Sequence, residues 1–281
     1  MSKGFVIFAQ NTNDVNYVQQ AYALALSIQY SQHTYKKVTL VTNDIVPKKY
    51  QKAFDNIIPI PWSDNSVSTR FAGEHRWKLY HATPYDETIV LDSDMLMLED
   101  ISTWWDYCSQ FEVTYCSSIK NHKLEKIVDT VHRQAFISNN LPSPYCALHY
   151  FKKSDTAHLF YKLLEFVCNN WQWCYDKFAP KNYQDCLSMD LATAIAIELS
   201  GNESEMLNVN SPLEFIHMKS FIQGWALPTT NWQDSVAYVL NTRGELIVSN
   251  IKQSKLFHYT EKNFITKQMI QRLEELAYGT N

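Results

Sequence analysis

Glycine and proline are scarce in this chain of 281 residues, which has six glycines and nine prolines. So few of either argue against a disordered, collagen-like or low-complexity protein. No apolar run in the sequence approaches the roughly 20 residues that a membrane-spanning helix needs, and residues 1–4 do not resemble a signal peptide. We therefore expect a cytoplasmic protein without a transmembrane segment.

The cysteine spacing and the net charge exclude two further kinds of site. The six cysteines include no Cys-x-x-Cys pair, so a zinc knuckle is not expected. The net charge is −4, whereas proteins that hold nucleic acid by its phosphates are usually basic. Hydrophobic residues, by contrast, make up 46% of the chain, which is enough to build a sizeable core.

Strand and helix patterns alternate along the first half of the sequence. Short apolar strands are predicted over residues 5–9, 38–42, 57–62 and 88–91, and helical spacing of apolar residues over 17–30, 47–54 and 76–82. This order predicts an α/β protein with an open, mostly parallel, Rossmann-like sheet that is flanked by helices.

The second half of the sequence is less regular. Residues 118–144 carry few patterns and are predicted to form a long loop or a lid. The remaining predictions are strands over 112–116, 147–151 and 256–259, helices over 154–167, 190–199 and 262–278, and a hairpin around the turn at 242–244.

Two carboxylates stand inside an apolar run, I-V-L-D-S-D-M-L, in which Asp92 and Asp94 flank Ser93. Residues two apart in a strand share a face, and ligands of open α/β sheets bind outside the carboxyl ends of the strands. Paired carboxylates suit Mg²⁺ or Mn²⁺, and such an ion could neutralise a departing diphosphate. The alternative is a turn in which Asp-Ser-Asp caps a loop without metal.

The sequence resembles the GT-A glycosyltransferases, and among them the glycogenin-like, family-eight group of retaining enzymes. The resemblance covers residues 4 to 262 and rests on four stretches: FVIFAQNTNDVNY, WKLYHATPYDETIVLDSDML, SMDLATAIA and LFHYTEKN. It implies one GT-A catalytic domain over residues 1–281. Residues 1–117 would be its nucleotide-binding half, and 118–281 its acceptor-side half with a small β-hairpin and a C-terminal helix.

The first stretch implies the site of the nucleotide base. Ala9, Asn11 and Tyr17 occupy the family's base-binding positions, although the loop is one residue longer here. An aromatic ring at Tyr17 can stack on a base, a contact worth about 1–3 kcal/mol. Alternatively, Tyr17 begins a helix and packs on the sheet.

The resemblance also implies a metal site in which Asp92, Asp94 and His258 bind Mn²⁺ (or Mg²⁺), with Asp92 and Ser93 also facing the donor. A mixed nitrogen and oxygen site suits Mn²⁺. The family's His-x-x-Gly-x-x-Lys motif is incomplete, because Glu261 and Phe264 replace its Gly and Lys, and Lys262 is the nearby substitute for donor binding. A lone histidine in a strand is otherwise structural.

Lys78 and Asp190 are the catalytic residues that the resemblance implies. Lys78, with Arg76 beside it, would contact the donor's phosphates or sugar; the alternative is a surface lysine on a helix. Asp190 would contact the transferred sugar, although Leu191 replaces the Gln that follows it in the family. Asp190 could equally be a helix N-cap.

The implied activity is metal-dependent transfer of a sugar from a nucleotide-diphosphate sugar, a UDP-sugar by preference, to a hydroxyl acceptor with retention. The family's Asn-Ser-Gly segment appears here as Tyr145-Cys146-Ala147-Leu148. The acceptor therefore stays open among a glycan, a lipid, a small molecule, a protein and a modified nucleic-acid base, and a homodimer also stays open.

Two other functions compete with this one. A haloacid-dehalogenase-like phosphatase also uses Asp-x-Asp after a strand, but its motif usually opens the fold and carries Thr or Val where this chain has Leu96. A non-catalytic nucleotide-sugar-binding protein would keep the fold without turnover.

Overall fold

The computed structural model describes residues 1–62, 76–219, 232–234 and 236–279. Its central sheet contains six strands, numbered in chain order with those introduced below: β1 (Lys3–Phe8), β2 (Val38–Val41), β3 (Asn56–Ile58), β4 (Glu87–Asp92), β6 (Val113–Cys116) and β9 (Tyr145–Lys152). The strand order is β3-β2-β1-β4-β9-β6. The first four are parallel, and β9 runs antiparallel to β4 and β6. The predicted open, mostly parallel sheet is confirmed.

Both faces of this sheet are covered, as its apolar strands require. In β1, Phe5 and Ile7 face one hydrophobic core whereas Val6 and Phe8 face the other. The first core contains α1 (Tyr17–Ser31), α4 (Ser102–Cys108) and α10 (Lys267–Tyr278), and the second contains α6 (Asp155–Asn169) and α8 (Met189–Ser200). The shorter helices are α2 (Lys48–Gln51), α3 (Leu79–Ala82), α5 (Gln134–Asn139), α7 (Trp171–Phe178) and α9 (Glu203–Met206).

A second, smaller sheet lies beside the first. It is built from β5 (Met95–Met97), β7 (Ser118–Lys120), β8 (Lys126–Ile127), β10 (Glu214–His217) and β14 (Leu256–His258), in the order β5-β14-β10-β7-β8. The predicted hairpin is also present, formed by β11 (Tyr238–Leu240) and β12 (Leu246–Val248), and β13 (Ile251–Lys252) adds a third antiparallel strand to it.

The prediction of a long loop over residues 118–144 is wrong, because this stretch contains β7, β8 and α5. Strands of two or three residues are too short to show a period, and β7 is held by pairing with the distant β10. Strands from both predicted halves share the central sheet, since β9 pairs with β4.

Local signals at several helix ends agree with the structure. The Ser154 side chain caps α6 by accepting from the Ala157 N–H, and α8 ends at Gly201, whose φ of 69° suits glycine. Other boundaries differ: β3 stops at Ile58, before Pro59 and Pro61, and α10 begins only after its Thr266 cap. Within the described residues, no helix has the length and apolar character needed to cross a membrane.

Candidate metal and donor-binding site

Three potential metal ligands converge at the carboxyl end of β4. Asp92 ends that strand, and Ser93 and Asp94 form the turn that leads into β5. The turn, rather than alternation along one strand, therefore brings the two acids together. Strand β14 pairs antiparallel with β5 and sets His258 opposite Met95. Ligand atoms of Asp92, Asp94 and His258 all lie within 4.8 Å of one another.

Basic side chains compensate the two carboxylates. The Nε2 atom of His258 lies 3.2 Å from Oδ1 of Asp94, and the Lys262 ammonium donates to the other oxygen of the same carboxylate. Nη1 of Arg76 lies 2.5 Å from Oδ1 of Asp92. Burial opposes the ionisation of Asp94, but His258 and Lys262 hold its pKa well below the usual range. Asp94 is therefore a carboxylate at neutral pH.

The chemistry of these residues fits a divalent cation. Two ligands on opposite sides of Mg²⁺ are about 4 Å apart, given bonds of about 2.0–2.1 Å, so the 4.8 Å spread needs only a small adjustment. Carboxylate oxygens suit Mg²⁺ and Mn²⁺, and the imidazole nitrogen of His258 favours the latter. An ion held here would supply Lewis-acid stabilisation of a diphosphate.

A second polar cluster surrounds Asp190, in the first turn of α8. The N-cap of this helix is Ser188, so Asp190 is not the cap. Its carboxylate accepts from the Cys146 N–H at 2.9 Å and from Nη2 of Arg133 at 2.6 Å. Burial raises the pKa of Asp190, but Arg133, the Cys146 N–H and Arg76 outweigh it and keep the pKa below its ordinary value.

A continuous row of side chains joins the two clusters. The rings of His258 and His217 lie 4.9 Å apart, and those of His217 and Tyr145 lie 6.1 Å apart. The guanidinium carbon of Arg133 stands 3.8 Å from the centroid of the Tyr145 ring. Because Arg133 also binds Asp190, a series of contacts connects that carboxylate with the possible metal ligand His258.

The basic residues predicted to contact the donor occupy a short turn. Residues Arg76–Lys78 form a 3-10 turn just before α3. Lys78 is buried, with Nζ 5.8 Å from the centroid of the Trp77 ring, and is thus not an exposed surface lysine. Arg76 reaches Asp92 directly. The role of Lys78 in donor binding stays a prediction.

The predicted base-binding residues follow the carboxyl end of β1. Ala9 is buried and its N–H donates to the Val41 carbonyl. The side chain of Asn11 accepts from the Val18 N–H at 3.1 Å, and the Asn11 N–H donates to Asp44 at 2.6 Å. Tyr17 begins α1, and its ring centroid is 5.1 Å from Nζ of Lys262. This contact places the predicted base-binding ring beside the acidic site.

Sequence reasoning missed His217 and gave Tyr145 no part in the site. His217 ends the mostly buried strand Glu214–His217, and its position beside His258 follows from the pairing of β10 with β14. A histidine at the carboxyl end of a buried strand is a signal that could have been read. Tyr145 begins both β9 and the segment that stands in place of the family's Asn-Ser-Gly, but nothing in the sequence indicated its contact with His217.

The fold class that these features define is GT-A. No protein-family model matches the sequence, and no curated protein is similar to it. Solved structures are similar over most of the chain. One is the galactosyltransferase LgtC in complex with donor and acceptor sugar analogs, with a TM-score of 0.52, 14% identity, and coverage of 98% of this chain and 95% of that one.

Two further solved structures are also similar to this chain over nearly all of its length. Mouse xyloside xylosyltransferase 1, in its apo form, has a TM-score of 0.51 and 10% identity, with 95% of this chain and 100% of that chain covered. The apo bifunctional glycosyltransferase WbbM has a TM-score of 0.53 and 12% identity over 99% of this chain and 50% of its own length. At such low identity the likeness establishes the fold.

Proposed function

We propose that this protein is a glycosyltransferase that moves a sugar, most simply a hexose, from a UDP-sugar to a hydroxyl acceptor with the help of Mn²⁺ or Mg²⁺. The observation that carries the proposal is the meeting of Asp92, Asp94 and His258 at the carboxyl edge of a GT-A sheet. Neighbours with this fold are glycosyltransferases.

Each group near the acids has a task in this reaction. Asp92, Asp94 and His258 would hold the ion, which supplies positive charge against the departing diphosphate. The Lys262 ammonium and the Arg76 guanidinium already lie against these carboxylates, so both are within reach of a diphosphate bound beside them. Lys78 follows Arg76 in the same turn and would add a further cation.

Asp190 would orient the sugar rather than attack it. Both of its oxygens already accept hydrogen bonds, from Cys146 and from Arg133. A carboxylate held in this way is suited to accept from sugar hydroxyls with its remaining lone pairs. The retaining reaction then needs no protein nucleophile: the acceptor hydroxyl attacks from the side on which the diphosphate leaves, and a leaving-group oxygen takes the proton.

The phosphatase alternative has little support in this fold. A haloacid-dehalogenase-like enzyme would place its nucleophilic Asp after the first strand, whereas Asp92 ends β4, after the units β1–α1, β2–α2 and β3–α3. A non-catalytic binding protein would bind the same donor at the same residues. Only the formation of a reaction product therefore distinguishes the enzyme from it.

Incubation with UDP-glucose, UDP-galactose, UDP-N-acetylglucosamine and UDP-glucuronic acid, with and without Mn²⁺, tests the proposal. Slow hydrolysis of one donor should release UDP only with the metal, and Asp94→Asn should abolish it. Lys252→Met, which removes an exposed lysine paired with Glu245, is the control. Donor-dependent melting shifts without UDP release would indicate the binding protein instead, and orthophosphate release from a phosphoester the phosphatase.

A further inference from the structure

Arg133 is held rigidly where it meets Asp190. Nη1 donates to the Pro144 carbonyl at 2.9 Å, and Nη2 donates to the Asp190 carboxylate at 2.6 Å. The guanidinium stacks over the Tyr145 ring at 3.8 Å and lies 4.7 Å from the Phe136 ring. Its side chain is 8% exposed, so the guanidinium is shielded from solvent. A guanidinium with so many contacts is held in one orientation.

The carboxylate of Asp190 is more open than its partner. The Asp190 side chain is 31% exposed, whereas that of Arg133 is 8% exposed. One oxygen accepts from Arg133 and the other from the Cys146 N–H, so the two bonds fix the plane of the group. Leu191, the next residue, is fully buried in the apolar core and offers no hydrogen bond. The polar support of Asp190 thus comes from β9 and from the segment before it.

We propose that Arg133 is the positioning residue of the sugar site, which holds Asp190 ionised and correctly turned toward the transferred sugar. The inference rests on the proposed function. Arg133 contacts Asp190 directly and acts through it. A lysine could keep the charge but could not reproduce the two-donor geometry and the stack on Tyr145.

The place of Arg133 argues against a role in stability alone. The row from Arg133 through Tyr145 and His217 ends at His258, a predicted metal ligand. An ion pair needed only for folding could stand anywhere in the molecule, and burying one is often no gain over apolar packing. This pair instead lies at the end of a row of side chains that leads to a possible metal ligand, where a carboxylate of fixed orientation could contact the donor's sugar.

The test is a double-mutant cycle in the full chain, with UDP release from the best donor of the panel above as the readout. The variants are Arg133→Met, Arg133→Lys, Asp190→Asn and the double variant, with Arg272→Met as a control that removes a partly buried pair to Glu275 on α10. Affinity for UDP alone is measured for each variant, because UDP lacks the sugar that Asp190 would contact.

We expect Arg133→Met to lower kcat at least about tenfold while the Kd for UDP changes by less than about twofold. Arg133→Lys should fall between it and the wild type, and Arg272→Met should match the wild type. In the Asp190→Asn background, Arg133→Met should cost no further activity, because a residue that acts through Asp190 has nothing left to position.

Two results for Arg133→Met would overturn the inference. The first is a kcat of Arg133→Met within about twofold of the wild type, and the second is an equal loss in the Asp190→Asn background. If Arg133→Met does not fold, Arg133→Lys decides: a lowered kcat at unchanged UDP affinity supports the role, and an unchanged kcat rejects it. If the wild type releases UDP from no donor, the proposed function fails, and the inference fails with it.

Discussion

Replacing Lys262 with methionine should strengthen metal binding while it weakens donor binding. The Lys262 ammonium donates to Asp94. Burial is the largest single influence on the pKa of Lys262 and lowers it, but Asp94, Tyr17 and Asp92 together outweigh burial, so this pKa is raised. Lys262 is therefore a cation that binds one of the Asp94 carboxylate oxygens that a metal ion would need. Methionine keeps the length of the side chain and removes the charge.

The size of the effect follows from the contact. A hydrogen bond to a charged group contributes about 1.5–3 kcal/mol, and the Lys262 side chain is 39% exposed, which places this bond near the lower value. Since 1.4 kcal/mol is about a factor of ten in affinity, Lys262→Met should bind Mn²⁺ about tenfold more tightly. Its affinity for UDP in saturating Mn²⁺ should fall, because one cation near the diphosphate is gone.

Calorimetric titration of Mn²⁺ into the wild type and Lys262→Met measures this directly. Lys255→Met is a matched control, because Lys255 pairs with Glu214 rather than with the acidic site. An unchanged or weaker Mn²⁺ affinity in Lys262→Met, at an unchanged melting temperature, would refute the competition between the ammonium and the metal.

Three further changes have defined outcomes. Tyr17→Ala should weaken UDP binding by about 1–3 kcal/mol, the usual value of base stacking, and Tyr17→Phe should not; equal losses in both would reject stacking. Burial lowers the pKa of His149 to about 4, so the unfolded chain takes up a proton as pH falls from 6.5 to 4. The free energy of unfolding therefore falls by about 3 kcal/mol over this range. Denaturant titrations at several pH values should show a smaller fall for His149→Asn, and an equal fall in both proteins would contradict the lowered pKa. Ser154→Ala should cost about 1 kcal/mol of unfolding free energy through its lost cap, and no change would mean that the Ala157 N–H finds another acceptor.

Features of the fold that depend on neighbouring residues were predictable from the sequence. The apolar runs of β1 and β4 are continuous, and Ser154 and Gly201 mark the ends of their helices. Short β–α units allow few alternative connections between strands, so the sheet could be predicted to be mostly parallel. β7 and β8 were missed, since two or three residues do not establish a period.

The site depends on distant pairings that no local pattern encodes. Asp94 and Lys262 are 168 residues apart, and Arg133 and Asp190 are 57 apart. His258 was expected only through the resemblance, and its approach to Asp94 follows from the register of β14 on β5. The acids were visible in the sequence because charges inside an apolar run need compensation. Which side chains compensate them could be seen only in the folded chain.

A crystal structure of the complex with Mn²⁺ and UDP, with the ion located by its anomalous scattering, shows whether Asp92, Asp94 and His258 hold the metal. We expect one ion bound by these three residues, with the diphosphate beside it and Lys262 moved from Asp94 toward the phosphates. An ion bound elsewhere, or UDP bound with His258 turned away from the acids, would contradict this expectation.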